Sequence, residues 1–525
     1  MSPQYGLLSA GSRFRAKLVF LAMTAGLFAG SASILYRFLF QHAERFALSV
    51  LNNIPSIPAI LLWGTVAVLI GVLLDAEPLA MGSGIPQVQG EVLGQISMNW
   101  RRVMAAKFLG GTAAAALGLS MGRQGPSVQI GASAGKAVAV MAGRSGMEEK
   151  ILLTCGASAG LSAAFNAPLS GVVFALEEIH RSFSPLVLLS AMVASLTADF
   201  LSKNFFGVGH VFSLGTASPM PLGMYGHFVL LGCLCGVGGA LFCRITLAAQ
   251  GFFARLPFPR RYRIILPAMG AVAAAYFLPE ILGGGQSLVE SLGKGSRSFG
   301  VLLLLFSGKV LFTALSSGSG APGGIFLPML SAGAVLGALY GTGASALLGT
   351  GTAWRVNFLV AGMAGFFTAV VRTPITGILL ITEMTGSLSG LLPVSAVALA
   401  AHMTAGLLRA RPVYESLLLR FLRKSGSRGE PGRILLEVSI CPGSVLDGIT
   451  VAEAPLPRGC LLVAISRAGG DILPRGDTLL SGGDRLTALA DASAARHVRA
   501  KLLELAANPA VCGASPAAAP GPPPP

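Results

Sequence analysis

The stretch that decides the reading is Gly122-Arg123-Gln124-Gly125-Pro126-Ser127-Val128-Gln129-Ile130-Gly131, set between the apolar runs Val103–Met121 and Ala132–Ala142. Gly122 and Gly125 permit sharp turns and close backbone approach. Pro126 lacks an N–H and suits the first turn of a helix. The stretch therefore reads as a chain break followed by a helix start inside a hydrophobic region. A helix start presents free amides and the positive end of the helix dipole, which together attract an anion. Within a membrane, irregular backbone is tolerated only where it lines a cavity or is buried in protein. Taken alone, the stretch also fits a plain Gly/Pro turn between two spanning helices.

A second stretch changes that balance. Gly318-Ser319-Gly320-Ala321-Pro322-Gly323-Gly324-Ile325-Phe326-Leu327-Pro328 leads into Met329-Leu330-Ser331-Ala332-Gly333. Aligning Gly122, Gly125, Ser133 and Gly135 with Gly320, Gly323, Ser331 and Gly333 gives a repeat of 198 residues. Ala167-Pro168-Leu169-Ser170-Gly171 matches Thr373-Pro374-Ile375-Thr376-Gly377 at 206 residues, and Glu177 meets Glu383 at the same offset. A further break is Met81-Gly82-Ser83-Gly84-Ile85-Pro86-Gln87-Val88. Interrupted hydrophobic segments in corresponding halves predict a transporter built from internal repeats, with its binding site near the midplane where broken helix ends meet.

Composition sets the class. Of 525 residues, 53% are hydrophobic and only 11% charged, with mean hydropathy +0.71. A soluble domain carries about 25% charged residues, so this is an integral membrane protein. The net charge of +16 does not point to nucleic acid. Much of it flanks apolar segments: Arg13, Arg15 and Lys17; Arg101, Arg102 and Lys107; Arg260, Arg261 and Arg263; Arg420, Arg423 and Lys424. Such flanks mark the cytoplasmic side and place both termini there, in what reads as a bacterial inner membrane. The first apolar run, from about Leu18, lacks a small-residue cleavage site and reads as a membrane helix. Seven cysteines show no metal-type spacing; Cys155, Cys233, Cys235 and Cys243 read as small packing residues. No H-E-x-x-H, nucleophile-elbow or Walker A motif is present, so no enzyme, metal or cofactor is expected.

The apolar pattern predicts helices over Phe14–Leu48, Ile57–Leu74, Val103–Leu119, Glu148–Leu161, Pro168–His180, Leu186–Leu201, Tyr225–Ala249 and Ile264–Phe277 in the first part. Phe299–Leu315, Met329–Leu348, Asn357–Phe367, Pro374–Thr385 and Leu391–Leu408 follow. Many fall short of the ~20 residues that a perpendicular span needs, which favours tilted or re-entrant helices.

With these residues in view, the chain resembles the CLC family of chloride channels and chloride/proton exchangers. The resemblance rests on Gly82-Ser83-Gly84-Ile85-Pro86, Gly122-Arg123-Gln124-Gly125-Pro126, Gly323-Gly324-Ile325-Phe326-Leu327-Pro328, Tyr414 in Arg411-Pro412-Val413-Tyr414, and Ala164-Phe165-Asn166-Ala167-Pro168 with Glu177-Glu178. It covers roughly Phe14 to Lys424, in family order and spacing. It implies an all-α membrane fold of two inverted halves and a homodimer with one ion pathway per subunit. It further implies that Ser83 Oγ, Tyr414 Oη and the Ile325 and Phe326 amides hold a central chloride, while Arg123, Gln124 and Gly125 form an outer site. Neutral donors suit that task, because conduction requires an ion held firmly enough to enter and weakly enough to leave. Beside these roles stand plainer ones: a Ser capping its helix and a Tyr at the membrane interface. By the same resemblance, Ser83 favours chloride over nitrate, and Ser83 with Tyr414 argues against the fluoride-exporting branch.

One departure matters most. Gln124 stands where the family carries a gating glutamate, which competes with chloride for the outer site and carries the proton. An amide is neutral at every relevant pH and can do neither. Glu178, beside Glu177, matches the family's inner proton-transfer residue; both also fit a helix end reaching water with His180 and Arg181. The pattern therefore predicts chloride movement that is passive or weakly coupled to protons, with an antiporter using Glu178 and another outer group as the alternative.

The resulting division is a leader at 1–13, a CLC-like membrane domain at 14–424, a Gly/Ser/Arg linker at 425–432, a soluble α/β unit at 433–505 and a Pro/Ala-rich disordered tail at 506–525. Leu435–Ile440, Leu461–Ile465 and Arg485–Leu489 read as strands and Ala494–Leu505 as a helix. The unit resembles the TrkA-C module of potassium-conductance regulators. That implies a regulatory or dimerising role, with a small-molecule ligand among the options; a stabilising appendage fits the same residues.

Overall fold

The computed structural model describes residues 3–52, 57–212, 214, 221–348, 354–387, 390–425, 433–457, 459–467, 470–491 and 494–507. The expected linker and Pro/Ala-rich tail lie almost wholly outside them. The described residues fall into two units, Met1–Phe421 and Leu422–Pro525.

The first half of the membrane unit comprises α1 (Pro3–Asn52), α2 (Ile57–Ala76), α3 (Ile85–Val92), α4 (Trp100–Ala116), α5 (Gln124–Met141), α6 (Met147–Phe165), α7 (Pro168–Phe174) and α8 (Pro185–Phe206). The second comprises α9 (Tyr225–Arg255), α10 (Ile265–Phe277), α11 (Gln286–Lys294), α12 (Phe299–Gly318), α13 (Phe326–Leu348), α14 (Arg355–Val371), α15 (Pro374–Thr385) and α16 (Leu391–Leu407), followed by α17 (Val413–Ser425). Among the described residues, five helical segments are long and apolar enough to cross a membrane. Several others are shorter apolar helices, among them Arg355–Val371, Pro374–Thr385 and Leu391–Leu407, in keeping with the many short segments of the apolar pattern. Large apolar side chains such as Phe200, Leu241 and Leu304 are exposed, as lipid-facing residues must be.

Three differences from the expected helices have physical causes. α5 begins at Gln124, because its polar Gly/Pro first turn is helical despite lacking an apolar signature, and α13 begins at Phe326, because Pro328 sits within its first turn rather than ahead of it. α11 and α17 were missed because they are short and amphipathic rather than uniformly apolar. The expected single helix Pro168–His180 changes character at Ala175, where six residues widen to a π-helix carrying Glu177 and Glu178.

Close packing in each half runs along glycines. A Cβ on Gly131 or Gly135 would strike the carbonyl of Gly156 or Leu152; one on Gly333 or Gly337 would strike that of Gly362 or Phe358. These stripes join α5 to α6 and α13 to α14. Without hydrophobic drive between helices in lipid, such backbone contact is what holds them. The stripes also correct the repeat: Gly131 corresponds to Gly333 and Gly135 to Gly337, an offset of 202 rather than 198 residues. From α6 onward the offset of 206 holds, with Asn166 and Arg372 both ending their helices at positive φ.

In the second unit, β1 (Arg433–Ser439), β2 (Cys460–Arg467), β3 (Gly470–Ile472) and β4 (Arg485–Asp491) form an antiparallel sheet in the order β1-β4-β2-β3. α18 (Ala495–Ala506) contributes Val498, Leu502 and Leu505 to the same apolar core as Leu436, Val438, Ile465 and Leu486.

Candidate anion-binding site

Three glycine-rich breaks meet inside the membrane unit. Gly122 and Gly324 form an antiparallel bridge, with N–H to O distances of 2.7 and 2.9 Å. Gly82 joins the same group: its N–H donates to Gly320 O at 3.2 Å and its carbonyl accepts from Gly323 N at 3.1 Å. A Cβ on Gly125 would run into Ser83 and approach Gly324 Cα at 3.2 Å, so only glycine allows these chains this close. The breaks before α3, α5 and α13 thus bring three helix starts together, with their free amides converging.

Around that junction the buried polar side chains are conspicuously unsatisfied. Ser83 Oγ and Tyr414 Oη are buried beside each other, and neither has a partner at ordinary hydrogen-bond geometry. Gln124 is fully buried, and neither its amide oxygen nor its nitrogen is paired. Most buried polar groups in proteins are paired, and exceptions call for an explanation such as an ion or water. Arg123, 2% exposed, stands one residue before Gln124. Phe326 is fixed by Phe165, Phe174 and Phe367, with ring centroids 5.2, 6.0 and 4.9 Å away. That clamp sets the direction of the first amides of α13. Lys107, fully buried, supports the break before α3 by donating to Ala80 O and Gly82 O at 2.8 and 2.7 Å.

Ser83, Arg123, Gln124, Gly125, Ile325, Phe326 and Tyr414 are therefore all buried around one junction. Glu178 is buried on the Tyr414 side, with Oε1 unpaired and its backbone carbonyl accepting from Gln89 Nε2 at 3.0 Å. Glu177 is placed differently. Its carboxylate accepts from Thr376 N and Thr376 Oγ1 at 2.9 and 2.7 Å and from Ile375 N at 3.4 Å, capping α15. Glu383 returns the bond to α7, accepting from Leu169 N and Ser170 N at 3.1 and 2.8 Å. Glu177 is thus engaged in joining the two halves. Lys107, expected from the sequence as one of the basic residues flanking an apolar segment on the cytoplasmic side, is instead fully buried behind the break before α3, where its ammonium holds two backbone carbonyls.

The family of voltage-gated chloride channels matches residues 68–406. The chain belongs to the CLC family. Its CLC relatives include the H(+)/Cl(-) exchange transporter ClcA of Vibrio cholerae, 37% identical over 66% of this chain and 75% of that one. ClcA of Salmonella agona is 33% identical over 78% of this chain and 89% of that one. Among solved CLC structures, a slow cyanobacterial Cl-/H+ antiporter superposes with a TM-score of 0.73 at 30% identity, covering 78% of this chain and 99% of the other. A eukaryotic CLC transporter shares the fold at TM-score 0.65 and 23% identity, covering 77% and 74% of the two chains. The TrkA-C domain matches residues 435–503, the antiparallel sheet with its helix. This is a CLC-type chloride transport protein of the membrane with a C-terminal TrkA-C domain.

Proposed function

We propose that chloride passes through the junction of helix starts with little or no coupled proton movement. The central site uses the hydroxyls of Ser83 and Tyr414 and the amides of Ile325 and Phe326. A second site uses the amides around Gln124 and Gly125, beside Arg123. These donors replace part of the ion's hydration shell without a side-chain cation bonded directly to it, so the ion can be released. The observation that carries the passive reading is the fully buried, unpaired Gln124 amide at the start of α5. It can neither swing in as an anion nor carry a proton. Chloride therefore occupies its site without competition from residue 124.

The protein works as a homodimer in a bacterial inner membrane with both termini in the cytoplasm, and the TrkA-C domain takes a small ligand or a partner copy. A second reading, proton-coupled antiport, is favoured by the buried, unpaired Glu178 carboxylate oxygen and by the exchange activity in the names of the ClcA relatives. The test uses liposomes carrying the protein under a chloride gradient. Chloride flux without stoichiometric proton uptake is expected. Uphill proton uptake that Glu178→Gln abolishes would establish the antiport reading instead.

A further inference from the structure

The break before α3 has a counterpart in the second half. Gly283-Gly284-Gly285 precedes α11 as Gly82-Ser83-Gly84 precedes α3. Gly82 and Gly84 sit at φ +62° and +92°; Gly283 and Gly285 sit at +58° and +89°. Lys309, fully buried, donates to Ile281 O and Gly283 O at 2.9 and 2.8 Å, as Lys107 does to Ala80 O and Gly82 O. Gly283 N donates to Gly118 O at 3.3 Å, as Gly82 N does to Gly320 O at 3.2 Å. The inverted repeat has therefore built the chloride-site loop twice, each time with a buried ammonium behind it.

The two copies differ in what faces them. In the first, the central residue is Ser83, its hydroxyl unpaired, and Lys107 has no carboxylate bonded to it among the described residues. In the second, the central residue is Gly284, and its N–H donates to Oε1 of Glu44 at 2.7 Å. Glu44 comes from α1, is half-buried, and interacts electrostatically with both Lys309 and Arg123. A Cβ on Gly284 would meet Leu327 and come within 3.4 Å of Met121 O, so this loop touches the segments that open α5 and α13. A carboxylate of the protein thus accepts from the central amide of the second-half loop, where the first-half loop carries an unpaired hydroxyl instead.

We propose that Glu44 is a tethered anion on the Gln124 side of the pathway, holding the second-half loop and lowering chloride occupancy beside Arg123. The inference rests on the chloride-transport reading. The repeated loop is an anion seat; filling it with a fixed charge leaves the first-half copy for chloride. A negative charge coupled to Arg123 partly cancels the attraction that Arg123 offers a chloride at Gln124 and Gly125. Residue 124 is neutral here, so Glu44 supplies a fixed negative field near that site. The effect is positioning and electrostatic, with no bond to the ion.

Glu44→Gln tests this, because the amide oxygen still accepts from Gly284 N while the charge is gone. Sodium chloride is titrated calorimetrically into the intact purified protein held in isethionate, and the unfolding temperature is followed in parallel. The unmodified protein binds chloride; Glu44→Gln is expected to bind it about tenfold more tightly, the size of one partly screened charge interaction. Glu44→Asp keeps the charge and is expected to stay within about threefold of the unmodified constant. Should Glu44→Gln not fold, Glu44→Ala takes its place with the same expectation. Unchanged or weaker binding in a folded neutral variant overturns the inference alone. Absence of both chloride binding and liposome chloride flux in the unmodified protein overturns the transport reading and this inference with it.

Discussion

Gly122 and Gly324 donate a backbone N–H to each other's carbonyl, at 2.7 and 2.9 Å, across an antiparallel bridge. An antiparallel pair carries a local two-fold axis between its strands, so this bridge relates the opening of α5 to the opening of α13 by inversion of chain direction. The two helix starts consequently approach one point from opposite sides. Any side chain added at either glycine would separate them: a Cβ on Gly324 would lie 3.0 Å from Gly125 N. Gly324→Ala is expected to abolish chloride flux in liposomes while the protein still inserts, measured against the unmodified protein at equal reconstitution.

Gln124→Glu is expected to make chloride flux depend on pH. The new carboxylate, when ionised, competes with chloride for the amides at the start of α5, and when protonated it does not. Flux should fall as pH rises through its pKa, whereas the amide at residue 124 contributes no such dependence. Flux measured in liposomes from pH 4 to 8 checks the sign, and Glu178→Gln in that background reports whether protons continue past Tyr414.

Ser83→Pro removes a hydroxyl donor from the central site and is expected to lower the chloride-to-nitrate permeability ratio several-fold, the scale of one hydrogen bond of about 1 kcal/mol. Reversal potentials in mixed chloride/nitrate solutions measure it. An unmoved ratio would remove Ser83 from the central site.

The reciprocal caps predict paired stability effects. Glu177→Ala and Glu383→Ala each strip a carboxylate from a helix start in the other half, at about 1–2 kcal/mol each. Because Glu177 holds α15 and Glu383 holds α7, both variants should unfold at lower temperature in detergent by similar amounts. Glu177→Ala should leave any residual proton movement intact, since that carboxylate is engaged in capping.

In the TrkA-C domain, the Arg467 guanidinium hydrogen-bonds both carboxylate oxygens of Asp484, at 2.7 and 2.6 Å, and holds its pKa below the usual carboxylate range. A depressed carboxylate pKa contributes stability that is fully present above the unfolded value of about 3.9 and is lost as pH falls through the folded value. Amide hydrogen exchange in the intact chain should therefore show β4 protected at pH 5 and opening on acidification below pH 4. Asp484→Asn should remove that acid-dependent step.

Removing the chain after Lys424 is expected to leave chloride flux in place with altered regulation, read as liposome flux from a monodisperse truncated protein. Complete loss of flux from a well-folded truncation would give the soluble unit a direct part in transport.

The sequence by itself determined the class, the family and most of the residues that the structure buries around the junction of helix starts. Its Gly/Pro breaks interrupt apolar runs, and backbone that cannot pair in lipid must be buried or line a cavity. Ser83, Gln124, Ile325, Phe326 and Tyr414 could be named because such breaks are short, local and compositionally distinct. Local pattern could not give the true register of the repeat, where matching Gly122 to Gly320 looks as good as matching it to Gly324. The 202-residue offset follows only from which backbones touch. The family resemblance singled out Glu178, but local pattern could not separate it from Glu177: adjacent carboxylates look alike until one is seen to cap α15 and the other to be buried near Tyr414. Glu44 and Lys309 were invisible for the same reason. Their roles arise where the loop before α11 meets Lys309 of α12, 28 residues on from Ile281, and Glu44 of α1, 240 residues back from Gly284, contacts that only the folded packing makes.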